Sequence, residues 1–204
     1  SLIIEHKPVG EDVVPFDVVF VGAGPAGLSG AIELARLVKA DGSMQVEIGV
    51  LEKAGTLGGH SLSGAVVNPV GFRTLFPELK DSDFPFRRPV TGEKVFLLSP
   101  TGAWRIPTPP TMNNHGNYVA SLCECVRWLG EKAEALGVNI MAGFPVDSLL
   151  VDSGRAVGVR TTPAGLKRDG APDPNGMPAT DVAAQVVVLS DGTRSPLAQS
   201  YLEW

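Results

Sequence analysis

The run "FDVVFVGAGPAGLSGAIELARLVKADG" constrains this chain more than any other stretch of it. Residues 16 to 21 are rich in β-branched and aromatic side chains and end in a glycine turn. Beyond the turn, Leu28, Ala31, Ile32, Ala35 and Val38 recur at spacings of three and four. That periodicity predicts a helix from about Pro25 to Ala40, stopped by Asp41-Gly42. "QVEIGVLEK" then supplies a second buried strand. Strand, helix and strand in this order form a βαβ unit, whose two strands run parallel. The fold class expected is α/β, a Rossmann-like parallel sheet.

The glycines fall where a dinucleotide needs them. Gly22 permits the tight turn, Gly24 lets the backbone approach a pyrophosphate, and Gly27 lets helix and strand pack closely. Ala23, Pro25 and Ala26 fill the intervening positions. The N–H groups and partial positive charge of the helix N-terminus then face the phosphates. Glu52 ends the second strand, with Lys53 after it. A carboxylate there accepts hydrogen bonds from both ribose hydroxyls of an adenosine and repels a 2′-phosphate, which favours FAD or NAD over NADP. The alternative is a nucleotide-free βαβ unit with a solvated Glu52.

The next stretch separates FAD from NAD. "GTLGGHSLSG" places Gly59, His60, Leu62, Ser63 and Gly64 in a glycine-rich loop. A flavin domain has to run its chain past the pyrophosphate toward the isoalloxazine, with backbone N–H groups close to the cofactor, and this loop suits that path. Near the C-terminus, "VVVLSDGTRSPLAQ" resembles the aspartate-glycine motif of flavin hydroxylases. That likeness puts Asp191 and Gly192 on the ribitol or pyrophosphate side of FAD; otherwise they form an ordinary strand-to-helix turn. Backbone near Pro145-Val146 is expected at the adenine.

Between these parts the chain changes character. Prolines crowd residues 77 to 111, and "EKVFLLS" and "AWRIP" read as a β-hairpin. The expected organisation is a first FAD-domain part over 1–76, an inserted proline-rich hairpin segment over 77–111 belonging to a second domain, and a second FAD-domain part over 112–204. From Tyr118 an amphipathic helix is expected, with Asn117 as its N-cap and Gly137 as its C-cap. "LKRDGAPDPNGMPATD" is expected to be a polar loop or hairpin.

Composition removes several classes. The chain has 204 residues, 44% of them hydrophobic and 19% charged, enough to bury a sizeable core. A net charge of −5 without a basic run leaves no electrostatic footprint for nucleic acid. No apolar run approaches the roughly 20 residues that span a bilayer. Neither a secretory signal nor a transit peptide is expected from "SLIIEHKPVGEDVVPFD". Cys123 and Cys125 lie two apart in a helical pattern, so neither a disulfide nor a metal pair is expected between them.

"MNNHGNY" is preceded by "RIPTPP" and followed by the helix pattern ending "GEKAEALGV". Together with "GAGPAGLSGAIEL", "EKAGTLGGHSLSGAVVNP" and "KRDGAP", it closely resembles the electron-transfer flavoprotein:ubiquinone oxidoreductases, in the same order and over nearly the whole chain. The resemblance implies an FAD-binding oxidoreductase, an electron-transferring-flavoprotein dehydrogenase. Its partners would be electron-transfer flavoprotein, ubiquinone and a membrane surface. Its location would be peripheral, on the matrix side of the mitochondrial inner membrane or on the bacterial cytoplasmic membrane. In that family a 4Fe–4S cluster is held by four cysteines far downstream, so the cluster is expected only in a region beyond this sequence. An FAD-dependent hydroxylase or reductase, suggested by "SDGTRS", and a nucleotide-binding module without catalysis of its own are the rival readings.

Within that cluster, His115 has no histidine or cysteine partner at ligand spacing, so no metal site is expected. The flavin itself carries the chemistry in such an enzyme, so no catalytic side chain is demanded. Capping a helix takes one asparagine, and Asn113, Asn114 and Asn117 exceed that need. Asn114 and His115 are therefore expected near the isoalloxazine, where donors tune its potential.

Overall fold

The computed structural model describes residues 2–8, 13–166 and 172–204. In chain order it contains β1 (Ile3–Glu5), β2 (Val14–Val21), α1 (Pro25–Asp41), β3 (Ile48–Glu52), β4 (Ala65–Val67), α2 (Val70–Leu75) and β5 (Phe86–Pro89). There follow β6 (Val95–Ser99), β7 (Gly102–Ile106), β8 (Tyr118–Ala120), α3 (Leu122–Glu134), β9 (Asn139–Ala142), β10 (Val146–Asp152) and β11 (Arg155–Thr161). β12 (Ala164–Leu166), β13 (Pro172–Met177), β14 (Asp181–Leu189) and α4 (Pro196–Glu203) complete the described strands and α-helices. Two compact units emerge, one of residues 1–61 and 126–204, the other of residues 62–125. The division falls inside α3, whereas the proline and glycine pattern suggested boundaries at 77 and 111.

The larger unit holds a seven-stranded sheet in the order β1-β10-β11-β14-β2-β3-β9. β14, β2, β3 and β9 are mutually parallel, while β11 is antiparallel to both its neighbours. This is the mixed α/β architecture with a parallel sheet that the βαβ pattern predicts. Its core forms because the strands are valine- and leucine-rich: Val19, Val21, Leu51, Leu149, Val151, Val159, Val182 and Leu197 pack in one buried cluster. α1 buries Leu28, Ala31, Ile32 and Ala35, four of the five residues on the face read from the sequence. Gly42, in the left-handed conformation at φ 65°, closes that helix by donating its N–H to Val38 O. β12 and β13 pair antiparallel, so part of the expected polar hairpin is formed. Most of "KRDGAP", residues 167–171, lies outside the described residues.

The smaller unit is built on a three-stranded antiparallel sheet, β4-β8-β5, and a separate hairpin, β6-β7. Here one expectation fails. Tyr118, Val119 and Ala120 form a strand between β4 and β5, and the helix starts only at Leu122. Asn117 is therefore not a helix cap. Periodicity alone counted Tyr118 into the helical face, but an aromatic and a β-branched residue flanked by two strands gain more from cross-strand pairing. Gly137 does follow the helix, at φ 88°, with its N–H on Glu134 O.

Tyr118 also anchors the aromatic core of this unit. Its ring stacks on Phe86 at 4.9 Å, and Phe72 meets Phe84 and Phe86 edge-on at 5.4 and 5.1 Å. Its hydroxyl donates to Asp81 at 2.7 Å, and Arg73 donates twice to the same carboxylate, at 2.9 and 2.6 Å. Those bonds, Arg73 first and Tyr118 second, hold Asp81 at a pKa of about 2. A carboxylate lowered on folding stabilises fully above its unfolded pKa of about 4, and that contribution is lost as pH falls through the folded value. Protection factors of the β4, β5 and β8 amides, which divide out the intrinsic exchange rate, are therefore expected to fall between about pH 4 and pH 2. Asp81→Asn should be less protected above that window and should lose this step; an unchanged acid step in the variant would assign it elsewhere. The β6-β7 hairpin leaves Leu97, Leu98 and Trp104 exposed, Leu98 at 75%.

Candidate functional site: a cavity at the carboxyl ends of the parallel strands

The larger unit contains a cavity of about 480 Å³ where β2, β3 and β14 end. Its polar side comes from three turns. Gly22, Ala23 and Gly24 follow β2, Glu52 and Lys53 lie at the end of β3, and Ser190, Asp191 and Gly192 follow β14. Gly58, His60 and Ser61 add a further polar stretch. Apolar walls are supplied by Leu2, by Phe144 and Pro145 between β9 and β10, by Val146 at the start of β10, and by Pro196 and Leu197 of α4.

The glycine turn is pinned from both sides. Gly22 N–H donates to Leu51 O at 2.8 Å, and Ser190 Oγ donates to Val21 O and Gly22 O at 2.8 and 3.1 Å. Gly22 sits at φ 103°, and a Cβ there would stand 2.7 Å from Ser190 O. A Cβ on Gly27 would overlap the Gly22 carbonyl, so the close helix–strand contact does require glycine. Gly24, the N-cap of α1, has nothing within 4 Å of its Cβ position and offers no side-chain cap. The first turn of α1, carrying Pro25, Ala26 and Gly27, thus keeps N–H groups that no capping side chain satisfies.

Glu52 is oriented by the backbone around it. Its Oε2 accepts from Ala23 N–H at 2.9 Å and its Oε1 from Ala54 N–H at 2.8 Å. A carboxylate has about four acceptor positions, so two remain for hydroxyl donors. On the opposite side, Asp191 Oδ2 accepts from Ser195 Oγ–H, and Ser195 caps α4 by accepting from Ala198 N–H at 3.1 Å. Asp191 Oδ1 is buried without a partner. Burial pushes the Asp191 carboxyl up, while Lys53 acts in the opposite sense. A buried acceptor oxygen that receives no hydrogen bond, beside an open cavity, fits a ligand that brings a hydroxyl donor.

Of the residues expected at the cofactor, Gly22, Ala23, Gly24, Glu52, Lys53, His60, Val146, Asp191 and Gly192 line this cavity. Gly59 lies within the same loop, its N–H on Thr56 O at 3.0 Å. Leu62, Ser63 and Gly64 fall in the smaller unit, where Ser63 Oγ meets Ser121 Oγ at 3.3 Å. Asn114 and His115 fall there too. Asn114 donates from Nδ2 and from its backbone N–H to Glu93, and its Oδ1 accepts from Asn117 Nδ2 at 3.2 Å. The asparagine surplus that capping could not explain is spent on holding this loop to Glu93 and to itself. His115 is exposed, with its backbone N–H on Asn113 Oδ1 at 3.0 Å. Leu2, Ser190 and Leu197 were not expected. The Ser195-Pro196 pair in "TRSPLAQSYLEW" reads as a helix start, as found, and that start carries Leu197 to the cavity; Leu2 had no local signal.

Among the described residues, no group of three or more His, Cys, Asp or Glu is placed to hold a metal ion, and no helix is long and apolar enough to cross a membrane. No protein-family model matches the chain. It is 38% identical over 194 residues to the mitochondrial electron transfer flavoprotein-ubiquinone oxidoreductase of Oryza sativa subsp. japonica, a match covering 95% of this chain and 33% of that protein. A probable electron transfer flavoprotein-ubiquinone oxidoreductase of Acinetobacter baylyi is 39% identical over 196 residues, or 94% of this chain and 34% of the relative. The chain therefore spans about a third of the length of the curated relatives it matches. Among solved structures, a myxobacterial chondrochloren halogenase, described as a variant of the FAD-dependent halogenases, superposes with a TM-score of 0.59 at 19% identity, over 92% of this chain and 39% of that one. That likeness shows a fold shared with FAD-binding Rossmann-type enzymes.

Proposed function

Because this chain is related to the electron transfer flavoprotein-ubiquinone oxidoreductases across at least 90% of its length, we propose that it is the FAD-holding part of an oxidoreductase of that kind. The observation that carries the reading is the Glu52 carboxylate, fixed by Ala23 and Ala54 N–H groups beside an uncapped helix N-terminus. In it, the Gly22–Gly27 turn and the start of α1 take the pyrophosphate, Glu52 the adenosine ribose, and the backbone near Val146 the adenine. Lys53, Gly59, His60, Asp191 and Gly192 lie toward the ribitol and ring. FAD supplies the electron-carrying ring when bound; the side chains named here hold and orient it.

The whole-protein activity we propose is transfer of electrons from electron-transfer flavoprotein to ubiquinone at a membrane surface. The names of the relatives support it, and so does the apolar β6-β7 hairpin, whose exposed leucines and tryptophan suit a peripheral contact with lipid. The iron–sulfur cluster of such a protein would lie outside this sequence.

Reconstitution tests the reading. Incubated with FAD and desalted, the purified chain is expected to stay yellow, with one flavin bound per chain and flavin fluorescence quenched. ADP should compete for the same site. A chain that remains colourless and also fails to bind ADP would overturn the assignment.

A further inference from the structure

The cavity has one wall that arrives from far away in sequence. Leu2 lines it beside Val146 and Leu197, half-buried against the cluster that contains Leu149 and Leu197. What brings it there is β1, an edge strand of three residues paired in parallel with β10, where Ile3 faces Leu149 and Leu2 O accepts from Leu149 N–H at 2.8 Å. The far end of β1 is fastened more heavily. Glu5 Oε1 accepts from Ser153 N–H at 2.9 Å, in the β10–β11 turn where Ser153 takes φ 52°. His6 N–H donates to Val151 O at 2.9 Å, and His6 Nε2 lies 3.4 Å from Asp181, itself held by two bonds from Arg160.

We propose that β1 is a strap over the adenosine end of the cavity: the Glu5 and His6 contacts anchor it outside the site, and Leu2 closes the apolar wall and sets how long the nucleotide is retained. The inference rests on the cavity being the nucleotide site proposed above. A three-residue edge strand with one hydrogen-bonded neighbour belongs to the weakest local folding units of a sheet. β10 keeps its ladder with β11 when β1 lifts, so the strap can open without unfolding the sheet. An aliphatic side chain in the wall also suits the flat apolar face of an adenine, which gains from being covered.

The experiment measures FAD release from the chain, followed by recovery of flavin fluorescence, and ADP affinity. Leu2→Ala is expected to release FAD about tenfold faster and to weaken ADP by a similar factor, with the apoprotein melting within about 2 °C of wild type. Leu2→Met, which preserves the wall, should match wild type. Glu5→Ala, which unfastens the strap without touching the cavity, should accelerate release by a smaller factor. Release from Leu2→Ala within about twofold of wild type would overturn the strap while leaving the site assignment intact. A wild-type chain that binds neither FAD nor ADP would instead remove the site. If Leu2→Ala does not fold, Glu5→Ala decides alone: a wild-type release rate there overturns the proposal.

Discussion

Glu52→Ala is expected to lower FAD affinity by about two to three orders of magnitude. The reasoning starts from the two backbone donors that converge on this carboxylate, Ala23 N–H at 2.9 Å and Ala54 N–H at 2.8 Å. Hydrogen bonds to a charged acceptor contribute about 1.5 to 3 kcal/mol each, and truncation removes both along with any bond to a ribose hydroxyl. Ala23 is in the glycine turn itself, so the loss also loosens the surface that faces the pyrophosphate. Glu52→Gln should fall between: its amide oxygen can satisfy one N–H, but its NH₂ then faces the other donor. Fluorescence titration of the apoprotein with FAD reads the effect, and an affinity equal to wild type in Glu52→Ala would remove Glu52 from the site.

The second large effect belongs to Gly22 and Gly24, two glycines of one turn with different tasks. Gly22→Ala meets a backbone at φ 103° and a carbonyl oxygen 2.7 Å from the new methyl group. A non-glycine residue in that region costs about 1 to 3 kcal/mol, and the overlap with the fixed Ser190 backbone adds to it. The melting temperature is expected to fall by roughly 6 °C or more, with cofactor binding lost in consequence. Gly24→Ala should behave oppositely. Its φ of −75° is ordinary and its surroundings are open, so the apoprotein should melt as wild type does. The added methyl group enters the space a pyrophosphate would fill, so affinity for FAD should drop. Calorimetry of the two apoproteins beside flavin titration separates the cases; a stable Gly22→Ala that binds FAD normally would contradict the pinned turn.

How far these features were legible depends on the range of the interactions that make them. The β2-α1-β3 unit was readable because its signals are local: a run of β-branched and aromatic residues, three-and-four spacing, glycine at the turn. Glu52 was readable because its place at the end of β3 fixes what it can reach. Tyr118 was misjudged because its helix-like spacing to Leu122 is local, while the β4 and β5 strands that claim it lie about 30 to 50 residues earlier. Leu2 was invisible for the same reason, since β1 pairs with a strand nearly 150 residues on. Asn114 was noticed as an anomaly, but its partner Glu93 stands at the end of an undistinguished turn, and nothing in spacing links the two. Asp191 was found through a motif; its bond to Ser195, which ties the site to the cap of α4, needed coordinates.

The order of strands in the main sheet bears on how this chain is made. β2 is hydrogen-bonded on one side to β3, which follows closely, and on the other to β14, which begins about 160 residues after β2 ends. At translation rates of about 5 to 20 residues per second, the β14 side of β2 stays bare for roughly 8 to 30 seconds after β2 is synthesised. "VPFDVVFV" is an apolar strand with a single acidic residue, the kind of edge that pairs with other chains. A nascent chain of this sequence should therefore be most dependent on chaperones until residue 189 has cleared the ribosome, and Asp17 is the only charge standing guard within that strand.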